Sequence, residues 1–393
     1  MRWSFIGSIG RGALFVSILL TGCTSTNADA QNVKIVAKPD IVYIERSESS
    51  QHLNFDFVLE NQTATRLILS GVTVSALDER DSVVRREFVN EYSRASLELL
   101  PPRGLQFGRT MSSLPVLEPA RLILVFNPFH FFAGTVPLKR LRYVFVLRTE
   151  DGRTRYRSEI VVSPVVYETK TQLILPVKGR VLVWDGHDYQ SHHRRFDYTR
   201  PPFLERGNKT NYQRYGYDFV VVNDQGLMHP AQSSAGDEWY PGKSDTNEDY
   251  YGFSVPIYAA GNGRVAALHD GEPDNRSFNP AELATRETAG GGNYVVIDHL
   301  NGEYSWFGHL KQGSVRVKIG QQVKQGEIIG QMGASGDSLF PHLHYELRTG
   351  VGAKQVEGLP SYFTNFRRLL GTVPIVVKHG QVDTGDIVES LEP

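Results

Sequence analysis

The chain holds a single cysteine, Cys23, among its 393 residues, so it cannot close a disulfide within itself. The same scarcity excludes four-cysteine zinc sites and iron–sulfur clusters. Any metal must be held mainly by His, Asp or Glu. An excess of charge of one sign is also lacking: 42 Lys and Arg stand against 43 Asp and Glu, a formal net charge of -1. A balance of that kind supplies no basic face for a phosphate backbone, so no nucleic-acid partner is expected. The apolar run from Ala13 to Leu20 falls short of the roughly 20 residues that cross a bilayer. Helical periodicity is scarce as well.

What is present points to a globular, strand-rich protein. Hydrophobic residues make up 40% and charged residues 22%, which disfavours disorder. With 37 Gly, 20 Pro, 18 Tyr and 20 Phe, strands and turns are favoured over helical bundles. The start reads as an export signal, with Arg2 and Arg11 beside the short apolar run. Leu20-Thr21-Gly22-Cys23 then resembles the bacterial lipobox, whose cysteine is lipidated after cleavage just before it. That resemblance implies residues 1–22 as signal peptide, Cys23 as the lipidation site and a membrane partner through that anchor. Thr24 is not the Asp of the inner-membrane retention pattern, which in a Gram-negative host implies the outer membrane, facing the periplasm. Residues 23–31 are small and polar and read as a tether.

Two strand-rich regions follow. Residues 32–168 show short alternating strands, clearest at Leu53 to Leu59, and predict an immunoglobulin-like sandwich with no catalytic constellation. Its expected role is spacing or docking. Residues 172–372 carry most of the histidines and the glycine-rich turns, among them Asn301-Gly302, a strong hairpin signal. Residues 373–393 read as a C-terminal tail, with a strand at Pro374 to Val377 and fraying from Asp383 onward. The predicted class is all-β: a sandwich followed by an antiparallel sheet domain.

The most informative stretch is Pro341-His342-Leu343-His344-Tyr345-Glu346-Leu347. Residues two apart in a strand share a face, so His342 and His344 project together while Leu343 packs the other way. Upstream stand Trp306-Phe307-Gly308-His309-Leu310 and Tyr215-Gly216-Tyr217-Asp218-Phe219-Val220. Between lie the run Val317 to Gly330 and Gly333-Ala334-Ser335-Gly336. In this order the motifs resemble the LytM/lysostaphin-type zinc metallopeptidases, which cut peptide cross-links of bacterial peptidoglycan. The resemblance covers about Val255 to Leu347, with a weaker match back to Tyr215. It implies a LytM-type sheet domain, a zinc cofactor and peptidoglycan as partner. His344 and Asp218 match the family's zinc ligands, and His309 and His342 its two catalytic histidines. Such a site leaves one zinc position for water, whose pKa the metal lowers to about 7.

One position departs from the pattern. Arg214 stands where the family's first histidine ligand should be, and a guanidinium has no lone pair for a metal. Two readings stay open: a non-catalytic relative that binds cell wall or regulates another hydrolase, or a histidine restored from elsewhere. Ser191-His192-His193-Arg194-Arg195 offers that histidine, with His193 the expected third ligand. Arg214 is then expected to bind substrate, as an electrophile or a carboxylate clamp. Residues 223–251 and 270–289 are long loops expected beside the site, with Glu238, Trp239 and Tyr240 as groove candidates and His229 as a minor alternative ligand.

Overall fold

The computed structural model describes residues 32–391 except 48, 94–95, 98, 103–113, 231–245, 277–281, 283–287 and 372. Cys23 with its flanking signal and tether, and Glu238, Trp239 and Tyr240, lie outside the described residues.

In the N-terminal region, strands Val33–Lys38, Asp56–Asn61 and Leu122–Phe126 form one antiparallel sheet. A second sheet centres on Leu67–Leu77, paired with Val83–Asn90 on one side and Leu141–Thr149 on the other. Alternation sends Phe57 and Leu59 of the first sheet and Leu69, Val72, Tyr143 and Phe145 of the second into one shared core. Phe57 bridges the layers, 4.8 Å from the ring of Tyr143 and 4.9 Å from that of Phe145.

The C-terminal region is built on an eleven-stranded antiparallel sheet. Its centre runs Asn293–Asp298, Tyr304–Leu310, Leu343–Arg348, Tyr217–Val221, Arg180–Asp185. One face of this centre is apolar: Val295, Ile297, Phe307, Leu343, Tyr345, Leu347, Tyr217 and Phe219 join a single core. The expected frayed tail is corrected here. Val373–Gly380 covers the strand expected at 374–377 and pairs with Phe363–Leu370, whereas Ile387–Ser390, expected to fray, inserts between Phe363–Leu370 and Arg180–Asp185. Val388 is wholly buried in the core, so apolar burial overrides the acidic composition that suggested fraying.

The two regions are docked through polar and aromatic contacts. Tyr362 Oη accepts from the Arg46 amide at 3.0 Å. Leu124 and Phe126 pack on Tyr198. His187 Nε2 lies 3.0 Å from Glu45 Oε2 in a buried pair. Burial alone would lower the imidazole's pKa, but the Glu45 carboxylate pushes it up to about 9 from 6.5. A raised folded value means this stabilisation is full below about pH 6.5 and is lost as pH rises through about 9. The thermal midpoint is therefore expected to fall across that window, and less steeply in Glu45→Gln. Equal slopes for the two proteins would refute the assignment.

Candidate metal centre

Register across the central sheet lines up the site. Gly308 pairs with His344, His344 with Asp218, and Asp218 with Asp185, one row across four adjacent strands. His344 is on the face opposite the apolar core. His342 sits one residue before its strand begins, and Asp218 lies within the next strand. His193 comes from none of these strands. It belongs to the irregular segment 186–200 that crosses over the row.

Three ligand atoms converge. His193 Nε2 is 3.1 Å from His344 Nδ1 and 3.4 Å from Asp218 Oδ1, and His344 Nδ1 is 3.0 Å from the same carboxylate oxygen. All three residues are buried. The far side of each ring is already committed. His193 Nδ1 lies 2.9 Å from Asp185 Oδ2, and His344 Nε2 lies 2.6 Å from Glu346 Oε1. A carboxylate only accepts, so each ring carries a proton there, and in its neutral form turns a lone pair inward. Two lone pairs and a carboxylate oxygen then face one another with no donor between them. A cation satisfies that arrangement, and two imidazoles plus one carboxylate suit zinc with a fourth position left over. Among the described residues, His193, Asp218 and His344 are thus a group that could hold a metal ion.

Outer partners lock these rings, as is usual around metals. Glu346 in turn takes a hydrogen bond from Arg348 Nε. Arg348 lies over the Trp306 and Tyr212 rings at 4.7 and 4.6 Å. Asp185 also accepts from Ser191 Oγ at 2.7 Å. Burial alone would raise the Asp218 carboxyl, yet His193 and His342 beside it hold it well below the usual range.

The other two predicted histidines flank the group. His309 and His342 have ring centroids 4.6 Å apart, and His309 and His344 5.9 Å. His309 Nδ1 donates to Ser335 O at 2.7 Å, which leaves its Nε2 as an acceptor, and His342 Nδ1 donates to Phe340 O at 2.8 Å, which leaves its Nε2 facing Asp218. His342 Nε2 is 3.5 Å from Asp218 Oδ1. Burial lowers the His309 pKa well below its ordinary value, and the neighbouring His342 and His344 add to this. His342 goes the other way: burial lowers it, but Asp218 outweighs that and raises it. His309 has φ of 56°, a backbone strain that costs about 1–3 kcal/mol and is found where geometry is overdetermined. The preceding Gly308 is obligatory, because a Cβ there would lie 2.1 Å from the Trp306 ring.

Arg214 requires a correction. It is fully buried, with Nη1 2.7 Å from Asp56 Oδ2 and Nε 2.7 Å from Glu357 Oε1. A guanidinium committed to two carboxylates with no exposed surface cannot clamp a substrate. Its role is structural, and removing one partner of such a pair costs about 3–5 kcal/mol. His229 bonds Pro230 O and rests on Tyr250, and it is not in the group. His192 is half exposed, with Nδ1 3.0 Å from Asp185 Oδ2. His299 is tied to Asn262 O and Ser305, away from the row.

Sequence reasoning missed Asp185, Glu346 and Asp56. Glu346 was findable, since it lies two residues beyond His344 on the same strand face. Asp185 carries no local signal, because only strand register brings it opposite Asp218. Gly216 is a further requirement. It is outside the left-handed region, but a Cβ there would meet His193 Cγ at 3.2 Å and Gln213 O at 3.0 Å. Gly216→Ala is expected to push the His193 ring off its position and weaken zinc binding about 10–100-fold, with the fold kept. Chelator competition would measure it, and unchanged affinity would remove Gly216 from the account.

The Peptidase family M23 model matches residues 251–357, which include His309, His342 and His344. The chain carries an M23 peptidase domain. His193 and Asp218 precede the matched part of that domain. Peptidoglycan DD-endopeptidase ShyA of Vibrio cholerae is 41% identical over 86 residues, 22% of this chain and 20% of that protein. Peptidoglycan DD-endopeptidase ShyC of the same organism is 36% identical over 105 residues, 26% of this chain and 20% of that protein. The chain thus spans about a fifth of the length of these relatives. A solved structure of a putative peptidase M23 from Pseudomonas aeruginosa aligns with 58% of this chain and 74% of that chain at 17% identity, TM-score 0.24.

Proposed function

We propose that this M23-domain protein is a zinc-dependent endopeptidase that hydrolyses peptide cross-links of bacterial peptidoglycan. In this reading it is anchored to the outer membrane through lipid on Cys23 and faces the periplasm. The observation that carries it is the convergence of two imidazole lone pairs and the Asp218 carboxylate beside a second histidine pair. The names of ShyA and ShyC supply the substrate class.

His193, Asp218 and His344 would hold the zinc. When bound, the ion supplies Lewis acidity: it polarises a peptide carbonyl and makes water acidic enough to act near neutral pH. Asp185 and Glu346 keep the two ligand imidazoles in the tautomers that leave lone pairs for it. His309, held neutral and oriented by Ser335 O, is suited to accept the proton of the attacking water. His342, biased towards its charged form by Asp218, is suited to donate to the oxyanion that develops on the carbonyl. Arg214, the ground for a non-catalytic reading, is accounted for by its buried pairing, with His193 standing in for the missing ligand.

The test uses the soluble chain from Thr24 onward, zinc-loaded, with cross-linked peptidoglycan, and separates the products by chromatography. Cross-linked dimers should decline with the parent and persist with His344→Ala. Undiminished dimers with a protein that holds one zinc per chain would overturn the endopeptidase reading.

A further inference from the structure

Several side chains of the segment that carries His193 have their partners in the other half of the molecule. Neighbouring side chains diverge there: His193 points into the ligand group, and Arg194 points into the N-terminal region. Arg194 is buried, with Nη1 2.5 Å from Asp56 Oδ1 and Nη2 2.7 Å from Phe55 O. Arg195 lies over the Phe126 ring at 4.3 Å and donates to Leu99 O. Tyr189 stacks on His130 with centroids 4.5 Å apart and planes 2° from parallel. Every one of these partners precedes residue 131.

Asp56 does more than receive Arg194. It is wholly buried, and its second oxygen is 2.7 Å from Arg214 Nη1. One carboxylate therefore joins the residue after His193 to the residue four before Asp218. Asn54 Nδ2 adds a 3.0 Å bond to the Arg214 carbonyl. Asn211 closes the loop within the C-terminal region, donating to His193 O at 2.9 Å and Arg194 O at 3.2 Å. Asp218 and His344 need no such help, because they sit on adjacent paired strands.

We propose that Asp56 is a positioning residue for the metal ligand His193, so that the N-terminal region completes the metal centre instead of merely spacing it from the membrane. The inference rests on the zinc reading above. It assigns the buried arginine pair a purpose: Arg194 and Arg214 transmit the placement of the docked region to the ligand segment.

The test compares the full soluble chain with Asp56→Asn, Arg194→Met and Tyr362→Phe. Tyr362→Phe removes an inter-region hydrogen bond that involves no residue of the ligand segment. Zinc affinity is read by chelator competition, ligand geometry by the visible spectrum of the cobalt(II) form, and folding by near-ultraviolet circular dichroism. Asp56→Asn and Arg194→Met are expected to lose about 10–100-fold in affinity and to alter the cobalt spectrum, while Tyr362→Phe keeps both. A merely structural Asp56 would lower thermal stability and leave the cobalt spectrum as in the parent, which would overturn the proposal. Should Asp56→Asn fail to fold, Arg194→Met decides alone, because it leaves the Asp56–Arg214 and Arg214–Glu357 pairs in place. A parent that takes up neither metal would instead overturn the zinc reading, and the inference with it.

Discussion

Replacing His193 by alanine is expected to strip zinc from the protein while leaving its fold in place. The loss should exceed the about 10–100-fold typical of an outer-shell change, because a ligand atom itself is removed. The remaining Asp218 and His344 would offer two protein ligands where a catalytic zinc has three. The fold should survive because the neighbours keep partners: Asp185 retains Ser191 Oγ at 2.7 Å and His192 Nδ1 at 3.0 Å. His192→Ala is the matched control. It is adjacent in sequence and half exposed, and with Asp185 and His193 it makes a second group that could hold an ion, so unchanged metal content would place the ion at His193, Asp218 and His344 instead. Elemental analysis after dialysis reads both variants beside the parent. Near one zinc per chain in His193→Ala would mean that the ligand is another residue, and the lone-pair argument would fail. Arg214→His is not expected to rescue the loss, since position 214 is turned towards Asp56 and Glu357.

How much of this was legible beforehand depends on whether a residue acts through its own strand or through a distant one. His342 and His344 were readable because alternation puts residues two apart on one face, and that spacing is local. The antiparallel sheet class was readable for the same reason. His193 was reachable by chemistry: Arg214 cannot ligate, and a histidine pair stood nearby. Its approach to His344, 151 positions away, is set by folding of an irregular segment and carries no periodic signal. Arg214 was misread because its charge suggested a substrate anion. Its true partners, Asp56 and Glu357, lie 158 and 143 positions away. The tail was misread because Asp383, Asp386 and Glu389 mask a strand whose Val388 fills a gap in the core. Composition reports solvation, whereas burial there is decided by the two strands that receive it.

The N-terminal region shows the same limit at the scale of a domain. Its strands announce a self-contained core, and they form one. Asp56, at the end of a strand whose other residues alternate in the ordinary way, gives no sign that it will meet two arginines from beyond residue 190. A buried carboxylate facing two buried guanidiniums is costly to desolvate and weak as a source of stability. Its value lies in specifying one arrangement of the chains it joins, and here those chains lead directly to two of the three ligand residues.

Removing the second histidine pair should have the opposite signature to removing a ligand. His309→Asn and His342→Ala are each expected to keep one zinc per chain and to lose about 10²–10⁴-fold in kcat, the range of general acid–base assistance. Asn is chosen at 309 because it tolerates the left-handed backbone that His309 adopts at φ 56°. KM should change little, since neither ring is the metal's anchor. The double variant should lose less than the product of the two, because residues that act as a unit are not additive. The geometry gives the reason for expecting metal retention: the Nδ1 atoms of both rings are spent on backbone carbonyls, and His309 approaches the ligand group only through ring contacts with His342 and His344. Loss of zinc in His342→Ala would move that residue into the ligand set, which its 3.5 Å approach to Asp218 makes the most informative failure. Full activity in either variant would leave the geometry of the pair, including the strained backbone at 309, without a chemical purpose.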